Sequence, residues 1–218
     1  MKRHLVVYRA VLFLFAVLAA FAVRAEDKPK VLKRGGIPYD TLWKEEDVRK
    51  YLNLPRLASV DGIVGLSMND ISGRLEAVQG LAGYQPVKNN NRPYKVSSNE
   101  LPVITFELRG EELPSLQVRI YDYQSWNAMC DKLFKYITST VELWNNIPDY
   151  YAREERGDAY TLTRKGRQSQ KWHFALKKLY VITVDVVPLQ ENAKSEEKAV
   201  AEMDKVIREL VGAIEGKE

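Results

Sequence analysis

Leu179-Tyr180-Val181-Ile182-Thr183-Val184-Asp185-Val186-Val187 is mostly apolar on both of its alternations: Leu179, Val181 and Val187 on one, Tyr180, Ile182, Val184 and Val186 on the other. A strand that faces water on one side is apolar on one alternation only, so this stretch predicts a central strand covered on both faces. Layers must therefore lie above and below it. Lys177-Lys178 joins it tightly to a strand over 170–176, and two further strands over 150–153 and 159–164 flank the turn signal Arg156-Gly157.

Upstream, residues 102–109 alternate cleanly, with Ile104, Phe106 and Leu108 on one face and Val103, Thr105 and Glu107 on the other. Residues 116–123 do the same, placing Leu116, Val118 and Ile120 inward and Gln117, Arg119, Tyr121 and Tyr123 outward. Glu111-Glu112-Leu113-Pro114 between them suits a hairpin loop. A helix is expected over 125–143, capped by Ser125 and striped with Trp126, Met129, Cys130, Leu133, Phe134, Ile137 and Val141. The C-terminal segment carries the clearest helical stripe (Ala199, Val200, Met203, Val206, Ile207, Leu210, Val211, Ile214), with Ser195 as its cap and Glu196 and Glu197 in its first turn.

A short helix over 44–52 ends before Pro55, a strand is expected over 74–81, and Asn89-Asn90-Asn91-Arg92-Pro93 is a loop signal. Two helices and about six paired strands predict an α+β fold, an antiparallel β-sheet with helices packed on it. The organisation expected is a signal peptide over 1–25, a flexible leader over 26–39 and a single α+β domain over 40–218.

The signal peptide follows from charge as well as from pattern. Of 33 Lys and Arg, four (Lys2, Arg3, Arg9, Arg24) fall in the first 25 residues, which hold no acid, so the rest of the chain carries 29 basic against 29 acidic residues. The apparent basicity thus belongs to the start of the chain. A basic beginning, an apolar run over 10–23 and Val23-Arg24-Ala25 before Glu26-Asp27 form an export signal with its cut after Ala25. Fourteen apolar residues rise only about 21 Å as a helix, short of the ~30 Å hydrocarbon core, so no stable membrane anchor is expected after cleavage. Localisation is expected to be extracytoplasmic, in a bacterial periplasm or secreted. A single Cys cannot close an intrachain disulfide, so the core alone must hold the fold.

The inventory excludes much chemistry. Beyond residue 25 the chain offers one imidazole, His173, and one thiol, Cys130, too few for a zinc site, and no dinucleotide or phosphate-loop glycine motif occurs, so no metal and no cofactor are expected. Cys130 falls on a buried helix stripe, where a thiol is inert. Ser169, His173 and Asp185 can be assembled as a triad on paper, yet no G-x-S-x-G elbow supports it, and no catalytic residue is assigned. A domain with no net charge gives no footing for nucleic acid, and Arg164-Lys165-Gly166-Arg167 and Arg156-Gly157-Asp158 read as solvated turns.

One constellation suits recognition. Arg119, Tyr121 and Tyr123 share the outward face of strand 116–123, and Glu107 and His173 could join them if neighbouring strands pair accordingly. The alternative is that a helix or the N-terminal segment covers this face.

Ile147-Pro148-Asp149, Gly157-Asp158-Ala159-Tyr160, the strand pair over 172–176 and 179–187 and the amphipathic terminal helix together resemble PsbP-like domains and related secreted bacterial lipoproteins of unknown function, over residues 101–214. The resemblance implies an α/β/α sandwich around an antiparallel sheet and a non-catalytic binding or assembly role. The chain departs from the lipoproteins in having no lipid-accepting Cys near the cut. The expected function is a non-enzymatic binding or assembly module acting on an envelope protein or a small ligand. The alternatives are a carboxylate-based hydrolase of the cell envelope and an envelope immunity or inhibitor protein.

Overall fold

The computed structural model describes residues 33–34, 37–38, 43–87, 95–97, 101–139, 147–166, 168–187 and 195–216. The expected signal peptide lies outside them. The chain divides into two compact units, Met1–Leu42 and Trp43–Glu218. In the first, the expected leader contains an antiparallel pairing of β1 (Lys33–Arg34) with β2 (Ile37–Pro38).

The second unit is an eight-stranded antiparallel sheet with helices on both faces. Its elements are α1 (Glu45–Leu52), α2 (Met68–Leu75), β3 (Gln85–Pro86), β4 (Lys95–Ser97), β5 (Val103–Arg109), β6 (Leu116–Tyr121), α3 (Trp126–Ser139), α4 (Ile147–Tyr150), β7 (Tyr151–Arg156), β8 (Ala159–Arg164), β9 (Gln170–Ala175), β10 (Tyr180–Val186) and α5 (Ser195–Glu215). The strand order is β3-β5-β6-β10-β9-β8-β7, with β4 also pairing along β5. The α+β class expected from the pattern is therefore the observed one.

β10 sits between β6 and β9, and Tyr180, Val181, Ile182, Thr183 and Val184 are all buried. Its doubly apolar sequence has the physical cause inferred for it: a separate core packs on each face. On one face Ile104, Phe106, Val118, Ile120, Ile182 and Val184 meet Ile71 and Leu75 of α2 and Met203, Val206 and Leu210 of α5. On the other, Trp126, Met129, Leu133 and Ile137 of α3 meet Leu162, Trp172, Phe174 and Val181.

Several local expectations are corrected. The strand expected over 74–81 is absent, because Ser67 and Asp70 close a reciprocal capping box that starts α2: Asp70 N donates to Ser67 Oγ at 3.2 Å and Ser67 N donates to Asp70 Oδ2 at 3.0 Å. Met68, Ile71 and Leu75 then bury one side of that helix. Ser125 is not the cap before α3. Asp122 takes that role, its Oδ1 accepting from Ser125 N at 3.1 Å, so the strand expected to reach 123 stops at Tyr121 and Tyr123–Ser125 forms a 3-10 turn. The strand expected over 150–153 begins at Tyr151, after the short α4, and runs on to Arg156. Beyond Ser139 the expected α3 continuation to 143 lies outside the described residues, as does the Asn89–Pro93 loop and the side chain of Ser195.

Candidate functional site

Strand register decides which side chains share a face, because directly paired residues project to the same side. Glu107, Gln117, Asp185, Gln170, Arg164 and Tyr151 are paired in sequence from β5 across β6, β10, β9 and β8 to β7, and make one polar row on the α3 side. The adjacent row on that face runs Thr105, Arg119, Thr183, Trp172 and Leu162. Of the residues expected to form a recognition surface, Arg119, Tyr121 and Glu107 therefore share this face.

His173 does not join them. It pairs with Ile182 and Thr161, in the row of Ile104 and Ile120 that packs toward α5. Tyr123 is also elsewhere, in the 3-10 turn after β6, where Gly65 makes the close approach possible: a Cβ on Gly65 would lie 2.6 Å from Tyr123 Cβ. Tyr121 is not outward but 3 % exposed, under α3. Glu107 is bound by Arg109 at 2.7 Å. The helix that was the alternative cover for this face does cover part of it.

Between α3 and the two rows is a cavity of about 120 Å³. Arg119, Gln170, Thr183 and Asp185 form its polar wall, Tyr121, Met129, Leu133, Tyr136 and Trp172 its apolar and aromatic wall, and Lys132 stands on it from the exposed side of α3. Arg119 donates to Asp185 and to Gln117, which fixes the guanidinium against β10 and β6. Tyr136 is set by Arg164, whose guanidinium donates to its hydroxyl and lies 5.6 Å from the ring centroid. Trp172 packs against the Tyr136 ring at 6.4 Å between centroids.

Thr183 Oγ1 and Gln170 Oε1 are buried here with no hydrogen-bond partner among the described residues. Thr183 is only 3 % exposed, and such a group costs about 1–3 kcal/mol when unsatisfied. Native proteins rarely leave polar atoms in that state unless a water or a ligand takes them up.

Reactive groups are remote or quenched. Burial pushes the Cys130 thiol up to about 12, and its sulfur lies 3.9 Å from the Pro55 carbonyl in the core beneath α3. Burial, with the Lys171 ammonium beside it, pushes His173 down to about 4, and its Nδ1 lies 3.4 Å from Thr161 Oγ1 on the far side of the sheet. Burial also raises the Tyr121 hydroxyl above its ordinary value. Asp185, the acid on the cavity wall, is held as the partner of Arg119. Among the described residues no three His, Cys, Asp or Glu side chains converge on a metal position, and no helix is long and apolar enough to cross a membrane.

Thr183, Gln170, Trp172 and Lys132 were not among the residues expected to form a site. One signal for Thr183 was available: with Asp185 it interrupts the apolar run of a strand that is mostly apolar on both faces. Comparison with protein-family models, with curated proteins and with solved structures finds no match to the chain.

Proposed function

We propose that this protein is an exported, non-enzymatic binding module that takes a small ligand into the cavity beneath α3. The observation that carries the reading is the pair of buried polar atoms, Thr183 Oγ1 and Gln170 Oε1, that have no hydrogen-bond partner among the described residues and lie on the wall of one cavity. A polar group kept unsatisfied in a central strand is a cost to stability, and such costs are retained where they serve binding. The layer order, with helices on both faces of an antiparallel sheet, supports the PsbP-like reading, as does Gly157-Asp158-Ala159-Tyr160 falling on the turn from β7 into β8. Pairing of Asp185 with Arg119 weighs against the carboxylate hydrolase, which needs acids free to exchange protons in the cleft.

Thr183→Val tests the reading, since valine has nearly the same shape and no hydroxyl. The ligand-free variant is expected to gain about 1 kcal/mol, a rise in Tm of roughly 2–4 °C for a domain of this size. A lower Tm would show that the hydroxyl already stabilises the fold and would remove the main support for a ligand site.

Export is the second part of the proposal, resting on the basic and apolar start and on the Ala25 cut. Intact-mass measurement of the protein recovered from an extracytoplasmic fraction is expected to place the mature N-terminus at Glu26, and a species retaining Met1 would refute cleavage.

A further inference from the structure

We propose that the cavity beneath α3 takes a small planar carboxylate whose far end carries a hydroxyl or N–H donor. This inference rests on the reading of the cavity as a ligand site and adds the chemical class of the ligand.

Three properties of the lining carry it. The first is the unmet acceptor. Gln170 Oε1 has no lone-pair function except to accept, so it selects a group that donates, and the Thr183 hydroxyl can give or take a second bond. Gln170 pairs with Asp185, two residues along β10 from Thr183, which makes Gln170 and Thr183 diagonal neighbours on one face, roughly 7–8 Å apart between residues. One hydroxyl placed between them can serve both.

The second property is shape and polarisability. About 120 Å³ is a little less than the roughly 150 Å³ of an enclosed apolar cavity known to admit benzene, and here the space is open on one side, so a six-membered ring can fit with its outer edge toward solvent. Trp172 and Tyr136, with their ring centroids 6.4 Å apart, line this space and favour a flat, polarisable ligand.

The third is charge. Arg119 is balanced by Asp185, whereas Lys132 has no acid within ion-pair distance among the described residues. The lining therefore carries one net positive charge, and it lies on the exposed side of α3. An anionic group at the solvent side would meet the Lys132 ammonium and the spare N–H groups of Arg119, while the donor end would lie against Gln170 and Thr183.

The probes are 4-hydroxybenzoate, which has both ends, phenol, which lacks the carboxylate, and benzoate, which lacks the donor. Binding to the full chain is measured by titration with protein NMR detection, following the Trp172 indole and the Thr183 amide. 4-Hydroxybenzoate is expected to bind at least fivefold more tightly than either phenol or benzoate. Lys132→Ala, at an exposed position that leaves the core intact, is expected to reduce 4-hydroxybenzoate to the affinity of phenol and to leave phenol unchanged. Gln170→Leu is expected to make 4-hydroxybenzoate no better than benzoate. Phenol binding as well as 4-hydroxybenzoate, with no effect of Lys132→Ala, would overturn the carboxylate class and leave the cavity as a ligand site. No response of Trp172 or Thr183 to any of the three would overturn both the class and the cavity reading.

Discussion

Trp126→Ala is expected to cost about 4 kcal/mol of folding stability, because truncating a fully buried large aromatic removes its transfer energy and leaves a cavity that the surroundings fill only in part. Trp126 is 0 % exposed and opens α3, the helix that roofs the candidate site. Its ring meets Phe174 of β9 edge-on at 5.3 Å, and its indole N–H donates to the Pro55 carbonyl. Asn127 beside it clasps Leu57 with two further bonds of 2.9 Å, its Oδ1 accepting from the Leu57 N–H and its Nδ2 donating to the Leu57 carbonyl. The start of α3 is thus pinned both to the sheet and to the segment after α1. A domain commonly has only about 5–15 kcal/mol in hand, so one residue here accounts for a large share.

Trp126→Phe separates the two contributions. It keeps most of the apolar contact and loses the indole donor, leaving the Pro55 carbonyl without that partner, and about 1–2 kcal/mol is expected. Urea unfolding should show both losses as a lower midpoint at an unchanged slope, since the surface exposed on unfolding is nearly the same. A cost below about 1 kcal/mol for Trp126→Ala would mean that α3 does not pack on β9 as described.

The layers were legible in the sequence and the candidate site only in part, through Arg119 and Tyr121, and the difference is one of range. Residues 179–187 announced a strand covered on both sides, and the stripe of α5 was explicit, with Ala199, Met203, Val206, Leu210 and Ile214 all found in the core. Those are local periodicities. The Ser67-Asp70 capping box was also a local signal, but it lies ahead of residues 74–81, over which a strand was expected instead. By contrast, the neighbours of Arg119 depend on β10 inserting between β6 and β9, a pairing of residues more than fifty positions apart. Once Arg119 stands opposite Thr183, alternation along β9 sends Trp172 and Gln170 to its side and His173 to the other. No property of the segment Trp172-His173-Phe174 by itself could have chosen between those faces.

The far-side placement of His173 has its own consequence, a loss of stability in mild acid. In the folded chain burial holds its imidazole down at about 4, with the Lys171 ammonium adding to the effect and Asp204 opposing it, while in the unfolded chain it takes up a proton near the ordinary 6.5. Below pH 6.5 the unfolded state therefore binds a proton that the folded state refuses. Stability is fully present above that pH and falls as the pH drops toward 4, by roughly 3 kcal/mol over the whole window at about 1.4 kcal/mol per tenfold. The groups around the ring explain why the protein does not simply accept the charge. Lys171, itself 8 % exposed, lies two residues along the same strand face and is committed to Asp204 of α5, so the local acid is already engaged. Thr161 Oγ1 at 3.4 Å from Nδ1 can serve the neutral ring as donor or acceptor but does nothing to stabilise an imidazolium fully. Carboxylates also titrate in this range, so the test is a comparison: urea midpoints at pH 7 and pH 4.5 for the wild type and for His173→Gln, which has no proton to gain. The wild type is expected to lose about 2 kcal/mol more than the variant between the two pH values. Equal losses would show that His173 is open enough to protonate in the folded state, and that the β9 face beneath α5 is wetter than its packing implies.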